Sequence, residues 1–212
     1  MQSKGILMVI FGGEGAGKTT NGERAAKKFG DRVFYTREPG GSPLAEAGRD
    51  FFISPLMQAA DPIVRTLYAF ALRADHIIQT ITPALEAGKL VICDRFDVDT
   101  FAYQIRAEGG KRYEPFFWKL REEVLGRIRP NLYVHFDVDP GEGRIRKLNQ
   151  GASHLNAYEE KSLEFHHAVN EGYKEFMKQP NSLCHRIDAN KGPDEVWEKF
   201  REIVEGQLNF LT

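Results

Sequence analysis

Gly12-Gly13-Glu14-Gly15-Ala16-Gly17-Lys18-Thr19-Thr20 follows the apolar run Ile6-Leu7-Met8-Val9-Ile10-Phe11 and precedes a helix-forming stretch from Asn21 to Phe29. It fits the pattern G-x4-G-K-[ST], with a strand before it and a helix after it. Glycines let successive backbone N–H groups turn inward and cradle phosphate oxygens. The N-terminus of the following helix adds partial positive charge at the same place. Lys18 has the reach for the β- and γ-phosphates of a nucleotide, and the Thr19 hydroxyl can ligate Mg2+.

Outward from this loop, apolar runs alternate with helical patterns, which predicts βαβ units and a parallel sheet. The predicted strands are Ile6–Phe11, Arg32–Thr36, Leu90–Cys93, Leu132–Asp137 and Leu183–Ile187. The predicted helices are Lys18–Phe29, Leu44–Ile53, Pro62–Ala87, Val98–Ala107, Pro115–Ile128, Pro140–Leu148, Glu159–Lys178 and Pro193–Asn209. Strands that run out into polar residues put Arg37, Asp94 and Asp137 at carboxyl edges, where open α/β sheets bind ligands. The 212 residues suffice for one α/β domain with a full core, and no interior boundary divides them. The most loop-like interior segment, Asn149 to Asn156, follows the basic cluster Arg144, Arg146 and Lys147. It reads either as a surface loop or as part of a lid, spanning about 141–158, that brings arginines onto a phosphate.

The 29 basic residues nearly balance the 30 acidic ones, so charge gives no nucleic-acid footprint. Cys93 and Cys184 are too few for a zinc site or a disulfide framework and read as reduced thiols. The apolar run after Gly5 is too short for a membrane span or a secretory signal, so the expectation is a soluble, cytoplasmic protein.

Three further clusters narrow the chemistry. Asp94-Arg95 closes the apolar run Leu90-Val91-Ile92-Cys93, the arrangement in which an aspartate serves Mg2+ beside a nucleotide. Arg37, in Thr36-Arg37-Glu38-Pro39-Gly40-Gly41-Ser42, stands either in ordinary turn chemistry or as a bidentate grip on a second anion. Phe70 and Arg73 are i, i+3 neighbours on one helix face. Their plain reading is a core ring and a solvated cation. His76, His166 and His167 lack the carboxylate or cysteine spacing of a metal site.

Taken together, the chain resembles the thymidylate kinase family within the nucleoside-monophosphate kinase fold. The resemblance lies in Gly12–Thr20, Thr36–Gly41, Arg73-Ala74-Asp75-His76, Pro83-Ala84-Leu85, Asp94-Arg95-Phe96 with Ala102-Tyr103-Gln104, Arg129-Pro130 with Phe136-Asp137-Val138-Asp139-Pro140, and Ile187-Asp188-Ala189. These stretches stand in family order over nearly the whole chain.

The resemblance implies a three-layer P-loop fold, a five-stranded parallel sheet surrounded by helices, and commonly a homodimer. It implies transfer of the γ-phosphoryl group of ATP to dTMP, with Mg2+ as cofactor. It places Gly12, Gly13, Glu14, Gly15, Ala16, Gly17, Lys18, Thr19 and Thr20 around ATP, and Thr19 with Asp94 on the metal. Glu14 would accept from the deoxyribose 3′-hydroxyl, and Arg37 and Arg95 would hold the acceptor phosphate. Arg73 would reach a thymine carbonyl, Phe70 would face the base, and Thr100 and Gln104 would lie near it. Tyr103 would crowd the sugar 2′ carbon. Lys18, Asp94 and Arg95, with the lid cations Arg144 and Arg146, would carry the catalysis.

Some positions depart from the family pattern. The aromatic residue that stacks on thymine normally stands four before the arginine equivalent to Arg73. Here Ala69 stands there, and Phe70 is three before. One residue of shift rotates a helical side chain by about 100°. Either Phe70 stacks from another angle or another residue supplies the platform. Phe11 replaces an acidic residue before the loop, and Ala157-Tyr158 stand where a lid arginine is common. A broader deoxynucleoside-monophosphate kinase therefore stays open as an alternative. A guanine-reading switch is disfavoured, because Pro193 takes the acidic position in Asn190-Lys191-Gly192-Pro193.

Overall fold

The computed structural model describes residues 5–149, 157–158, 160–179 and 183–211. Five strands, β1 (Ile6–Gly12), β2 (Val33–Arg37), β3 (Leu90–Asp94), β4 (Leu132–Asp137) and β5 (Cys184–Asp188), form one parallel sheet in the order β2-β3-β1-β4-β5. Each predicted strand is present within a residue or two. The helices are α1 (Lys18–Phe29), α2 (Pro43–Phe52), α3 (Pro55–Gln58), α4 (Pro62–His76), α5 (Thr82–Glu86), α6 (Asp97–Thr100), α7 (Glu114–Leu125), α8 (Pro140–Asn149), α9 (Leu163–Met177) and α10 (Pro193–Asn209).

The strands read as unbroken apolar runs because helices cover both faces of the sheet. Side chains alternate between the two layers with the period of a strand. Leu7, Val9 and Phe11 of β1 enter the core under α4, α7 and α9, whereas Met8 and Ile10 enter the core under α1 and α10. Val91 and Cys93 of β3 follow the first set, and Leu90 and Ile92 the second.

Register decides where the chemistry sits. Ile10 pairs with Asp94, and Asp94 with Arg37, so β1, β2 and β3 end at one edge. From β1 the chain crosses to the edge strand β2, comes back to β3 beside β1, and then passes to β4 on the other side of β1. The loop after β1 and the residues after β3 thus flank the point where strand order reverses, the crevice in which such sheets bind ligands.

The single helix predicted over Pro62–Ala87 is continuous but widened by a π-helical segment at Ile77–Ile81. The predicted Val98–Ala107 helix contains a second one, Phe101–Ala107. The helix predicted from Glu159 begins at Leu163, because the Ser162 side chain accepts from the Phe165 amide and caps it there. The lid expected over 141–158 is helical through Asn149, and residues 150–156 lie outside the described residues.

One core position carries a stability penalty. His135 on β4 is buried and stacks on Phe11 at 4.8 Å. Neither ring nitrogen meets a partner among the described residues. Burial pushes its pKa down from 6.5 to about 4, against the pull of Asp137 and with the help of Arg186, Lys18 and Lys174. The unfolded chain therefore binds a proton below pH 6.5 that the fold refuses. Stability is lost as pH falls from 6.5 toward 4, about 2 kcal/mol of it by pH 5. His135→Phe is expected to remove this dependence and to raise Tm at pH 5 by roughly 4–8 °C. Equal Tm-against-pH curves for the two proteins would contradict the account.

Candidate active site

The turn between β1 and α1 needs backbone freedom at several places. Gly12, Gly15 and Gly17 have φ of 147°, 70° and 83°. Gly15 is also pressed against α8: a Cβ there would stand 2.2 Å from the Gly143 carbonyl oxygen, and one on Gly143 would stand 2.2 Å from that of Glu14. The loop apex and the helix carrying Arg144 thus touch backbone to backbone. Lys18 is buried and folds across the loop, donating to the carbonyls of Gly12 at 2.9 Å and Gly13 at 2.8 Å. Burial and the neighbouring Arg95 depress its pKa, with Glu14 and Asp94 opposing.

Thr19 Oγ1 donates to Asp94 Oδ2 at 2.7 Å, and Tyr35 OH reaches the same oxygen at 3.2 Å. Asp94 Oδ1 is buried without a partner among the described residues. A hydroxyl and a carboxylate with an orphaned oxygen form the hard, all-oxygen donor set that Mg2+ requires.

Arg95 sits at φ 70°, the left-handed region that non-glycine residues enter only when their surroundings hold them there. Its amide donates to the Ile10 carbonyl at 2.9 Å, and its guanidinium pairs with Glu14 and with Asp99 at 3.2 Å. Glu14 therefore stays ionised. Burial pushes its pKa up, but Arg95, Lys18 and Lys147 outweigh burial and hold it at about 2. Tyr103 OH lies 3.4 Å from Arg95 Nη1, and Tyr173 OH donates to Asp99 at 2.8 Å.

Glu14, Arg95 and Tyr103 face a cavity that Arg73, Thr100 and Gln104 also line. Arg73 is buried, donating through Nε to Glu38 at 2.8 Å and through Nη2 to Thr100 at 3.1 Å. Its Nη1 is buried with no partner among the described residues. Glu38 also meets His76 Nδ1 at 3.1 Å, and His76 Nε2 lies 2.7 Å from Thr36 Oγ1. Cys93 Sγ donates to the Arg95 carbonyl at 3.1 Å. Glu38, His76 and Cys93 lie close enough to hold a metal ion. Each is already committed to a side chain or carbonyl that shapes the cavity.

Phe70 does not join this cavity. It is packed edge-on against Phe117 at 5.6 Å, with the Arg73 guanidinium 4.6 Å from its ring centre. Ala69, Leu72 and Arg73, spaced i, i+3, i+4, are the face turned to the cavity, and Phe70 is rotated off it. Its part is to steady Arg73. The apolar walls come instead from Phe52, Ile53 and Tyr158, of which Phe52 and Tyr158 stack at 6.3 Å.

Arg37 is half exposed and pairs with Glu46 at 3.4 Å outside the lining. Arg49 takes the inner place, donating to the Pro39 carbonyl at 2.5 Å. Burial lowers the Arg49 pKa, and the charges of Arg37 and Arg95 lower it further. Arg49 and Arg95 line the cavity with Arg37 outside it, a cluster of like charge that could take an anion. The motifs single out Arg37 and Arg95, but Arg49 lies in the last turn of α2 without a signature.

A second cavity, between the loop, α8 and α9, is lined by Arg144, Lys147 and Tyr173 and shares Glu14 and Tyr103 with the first. Arg146 lies outside it. Its guanidinium is bound to Glu142 at 2.8 Å and to the carbonyls of Ala189 at 2.6 Å and Asn190 at 3.1 Å, tying α8 to the end of β5. Of the two expected lid cations, Arg144 is the one facing the shared space.

The glycine loop, Thr19 hydrogen-bonded to Asp94, and the first cavity lined by Arg49, Arg73 and Arg95 lie together at one sheet edge. The sequence model described as thymidylate kinase matches residues 10–200. The chain is 36% identical over 207 residues to a thymidylate kinase of Bacillus licheniformis, covering 96% of this chain and 97% of that one. It is 36% identical over 209 residues to one from Caulobacter vibrioides, covering 97% and 99%. The crystal structure of thymidylate kinase from Ehrlichia chaffeensis superposes with a TM-score of 0.73 at 26% identity, covering 94% of this chain and 98% of that one. Family match, full-length identity and the shared arrangement of sheet and loop agree that this chain belongs to the thymidylate kinase family.

Proposed function

We propose that the chain transfers the γ-phosphoryl group of ATP to dTMP, giving dTDP and ADP, with its named side chains in the roles that follow. The observation that carries this reading is the arginine–carboxylate contact between Arg95 and Glu14, which joins the phosphate loop to the first cavity, where the acceptor nucleotide and its base would lie. ATP lies along Gly12–Thr20, with Lys18 turning from the loop carbonyls to the β- and γ-phosphates. Thr19 and Asp94 would hold Mg2+, which would supply charge neutralisation at those phosphates. The acceptor phosphate is gripped by Arg95 and Arg49, with Arg37 at the rim. Glu14 receives the sugar 3′-hydroxyl, and Tyr103 crowds the 2′ side.

An oxygen of the dTMP phosphate attacks the γ-phosphorus, and the bond from that phosphorus to the β-bridging oxygen breaks. The nucleophile is already anionic, so no strong general base is needed. The work is to hold two anions together and to stabilise charge spread over the moving group. Lys18, Arg95 and Arg144 supply that charge.

We also propose a homodimer. Leu44, Ala47 and Phe51 on α2, and Val64, Leu67, Ala71 and Ile78 along α4 and its π-helical continuation, are exposed apolar stripes on two helices that pack together. A second copy of the chain would cover them. A monomer in sedimentation velocity at micromolar concentration would overturn this. Among the described residues no helix is long and apolar enough to cross a membrane. Both cysteines are free. With a net charge of −1 the chain has no footprint for nucleic acid, and we place it in the cytoplasm.

Coupled ADP release across deoxy- and ribonucleoside monophosphates tests the assignment. The highest kcat/KM is expected for dTMP, with ribonucleotides rejected at Tyr103. Ala69 in place of a ring favours testing dUMP beside it. A higher kcat/KM for any other base would replace this reading with that of a broader deoxynucleoside-monophosphate kinase.

A further inference from the structure

We infer that the buried ion pair Arg65–Glu108 fixes the orientation of the Gln104 amide and so makes the acceptor pocket select a base that presents an N–H beside a carbonyl. The inference deepens the proposed function and rests on its placing the base in the first cavity.

Gln104 is buried at that cavity's wall. Its Nε2 lies 3.3 Å from Glu108 Oε2 and 3.0 Å from the Tyr158 hydroxyl oxygen. A carboxylate only accepts hydrogen bonds, so the amide nitrogen must be the end that faces it. Both protons of that nitrogen are then spent. The carbonyl oxygen Oε1 has no partner of its own among the described residues, so the group left for the cavity is an acceptor.

What holds Glu108 in place is Arg65, whose Nη1 is 2.8 Å from Glu108 Oε1. Both side chains are nearly sealed, at 6% and 4% exposure, so neither can turn to water for a substitute partner. Tyr158 OH also hydrogen-bonds Glu108, which ties the far end of the expected lid to the same carboxylate. None of Arg65, Glu108 and Tyr158 is required by the phosphoryl transfer itself.

Arg73 lines the same cavity, with Nη2 anchored on Thr100, one turn before Gln104, and Nη1 buried without a partner among the described residues. The wall therefore sets a fixed guanidinium beside a fixed acceptor. Thymine and uracil match it with a ring carbonyl and the adjacent N–H. Cytosine presents an amino donor and a bare ring nitrogen, the reverse pattern. To accept it Gln104 would have to turn over and set two acceptor oxygens face to face, a buried mismatch of the kind on which pockets discriminate most strongly.

The test measures kcat/KM for dTMP and dCMP in wild type, Glu108→Gln and the double variant Arg65→Met/Glu108→Gln. The double variant leaves no unpaired buried arginine and guards against a folding failure. An amide at 108 can donate or accept, so Gln104 is free to turn. The ratio of dCMP to dTMP kcat/KM is expected to rise about tenfold or more in both variants. A merely structural role would lower both substrates alike, and a ratio within twofold of wild type in a folded variant overturns the proposal. Gln104→Ala separates the two levels. If it raises KM for dTMP while the ratio in the Glu108 variants stays put, only the orientation lock fails. If it leaves KM for dTMP unchanged, the base does not meet Gln104, and the placement on which the inference rests fails while the dTMP kinase reading keeps its own test.

Discussion

Arg95→Ala is expected to lower kcat by about 10³-fold while the protein stays folded at 25 °C. The magnitude follows from what positioned arginines contribute in phosphoryl transfer, roughly 10³–10⁵ in rate. Arg95 is placed to act on both sides of the reaction. Its guanidinium meets Glu14 on the ATP loop and Asp99 and Tyr103 in the acceptor pocket. The backbone at φ 70° is as strained for alanine as for arginine, so the substitution neither relieves nor adds strain there. Glu14 and Asp99 lose their partner, but both keep some access to water, at 19% and 10% exposure. The stability cost is accordingly on the order of 1–3 kcal/mol, less than a domain of this size has to lose. Arg95→Lys is the informative companion, because a point charge cannot reproduce a planar fork that bridges three partners. It should recover no more than a tenth of the wild-type rate. Steady-state kinetics on a variant whose circular dichroism matches wild type decides the matter. Retention of more than half of wild-type kcat by Arg95→Ala would remove Arg95 from the mechanism.

The parts of this site that are legible in the sequence are those whose geometry is local. The loop Gly12–Thr20 is legible because its glycine spacing, lysine and threonine act through one turn and the first turn of α1. Asp94 and Arg95 are legible because an apolar strand of known direction ends on them, and sheet register then brings Asp94 level with Ile10 and Arg37. Arg49 and Tyr158 are not legible. Each reaches the first cavity through tertiary packing, Arg49 from the last turn of α2 and Tyr158 from beyond α8. Phe70 shows the limit of a motif read without its helical phase. The sequence places an aromatic residue one position off, and that single step turns the ring from the pocket into the core against Phe117. Arg146 is a lid cation by family resemblance, but the carbonyls at the end of β5 hold it, a contact 43 residues away that no local pattern encodes.

Lys18→Met is expected to lower kcat by about 10³-fold, comparable with losing a key charge-stabilising donor, while KM for dTMP stays within about threefold. The reasoning turns on what Lys18 does before substrate arrives. It is buried, its pKa is depressed first by burial and then by Arg95, and its ammonium is satisfied by the carbonyls of Gly12 and Gly13. Methionine keeps the length and volume and removes a charge whose burial is unfavourable. Tm should therefore change little, since the lost hydrogen bonds and the lost desolvation penalty oppose each other. ATP binding behaves differently. The loop amides still cradle the phosphates, so some protection by ATP in thermal melts should persist, but the upward shift in Tm should shrink as the lysine's share of affinity is lost. A large fall in kcat with a small change in dTMP KM places Lys18 on the transferring phosphates and away from the acceptor. If Lys18→Met instead raised KM for dTMP tenfold and left the ATP-induced Tm shift intact, Lys18 would belong to the acceptor site, and the direction of transfer across the Arg95–Glu14 contact would have to be reversed.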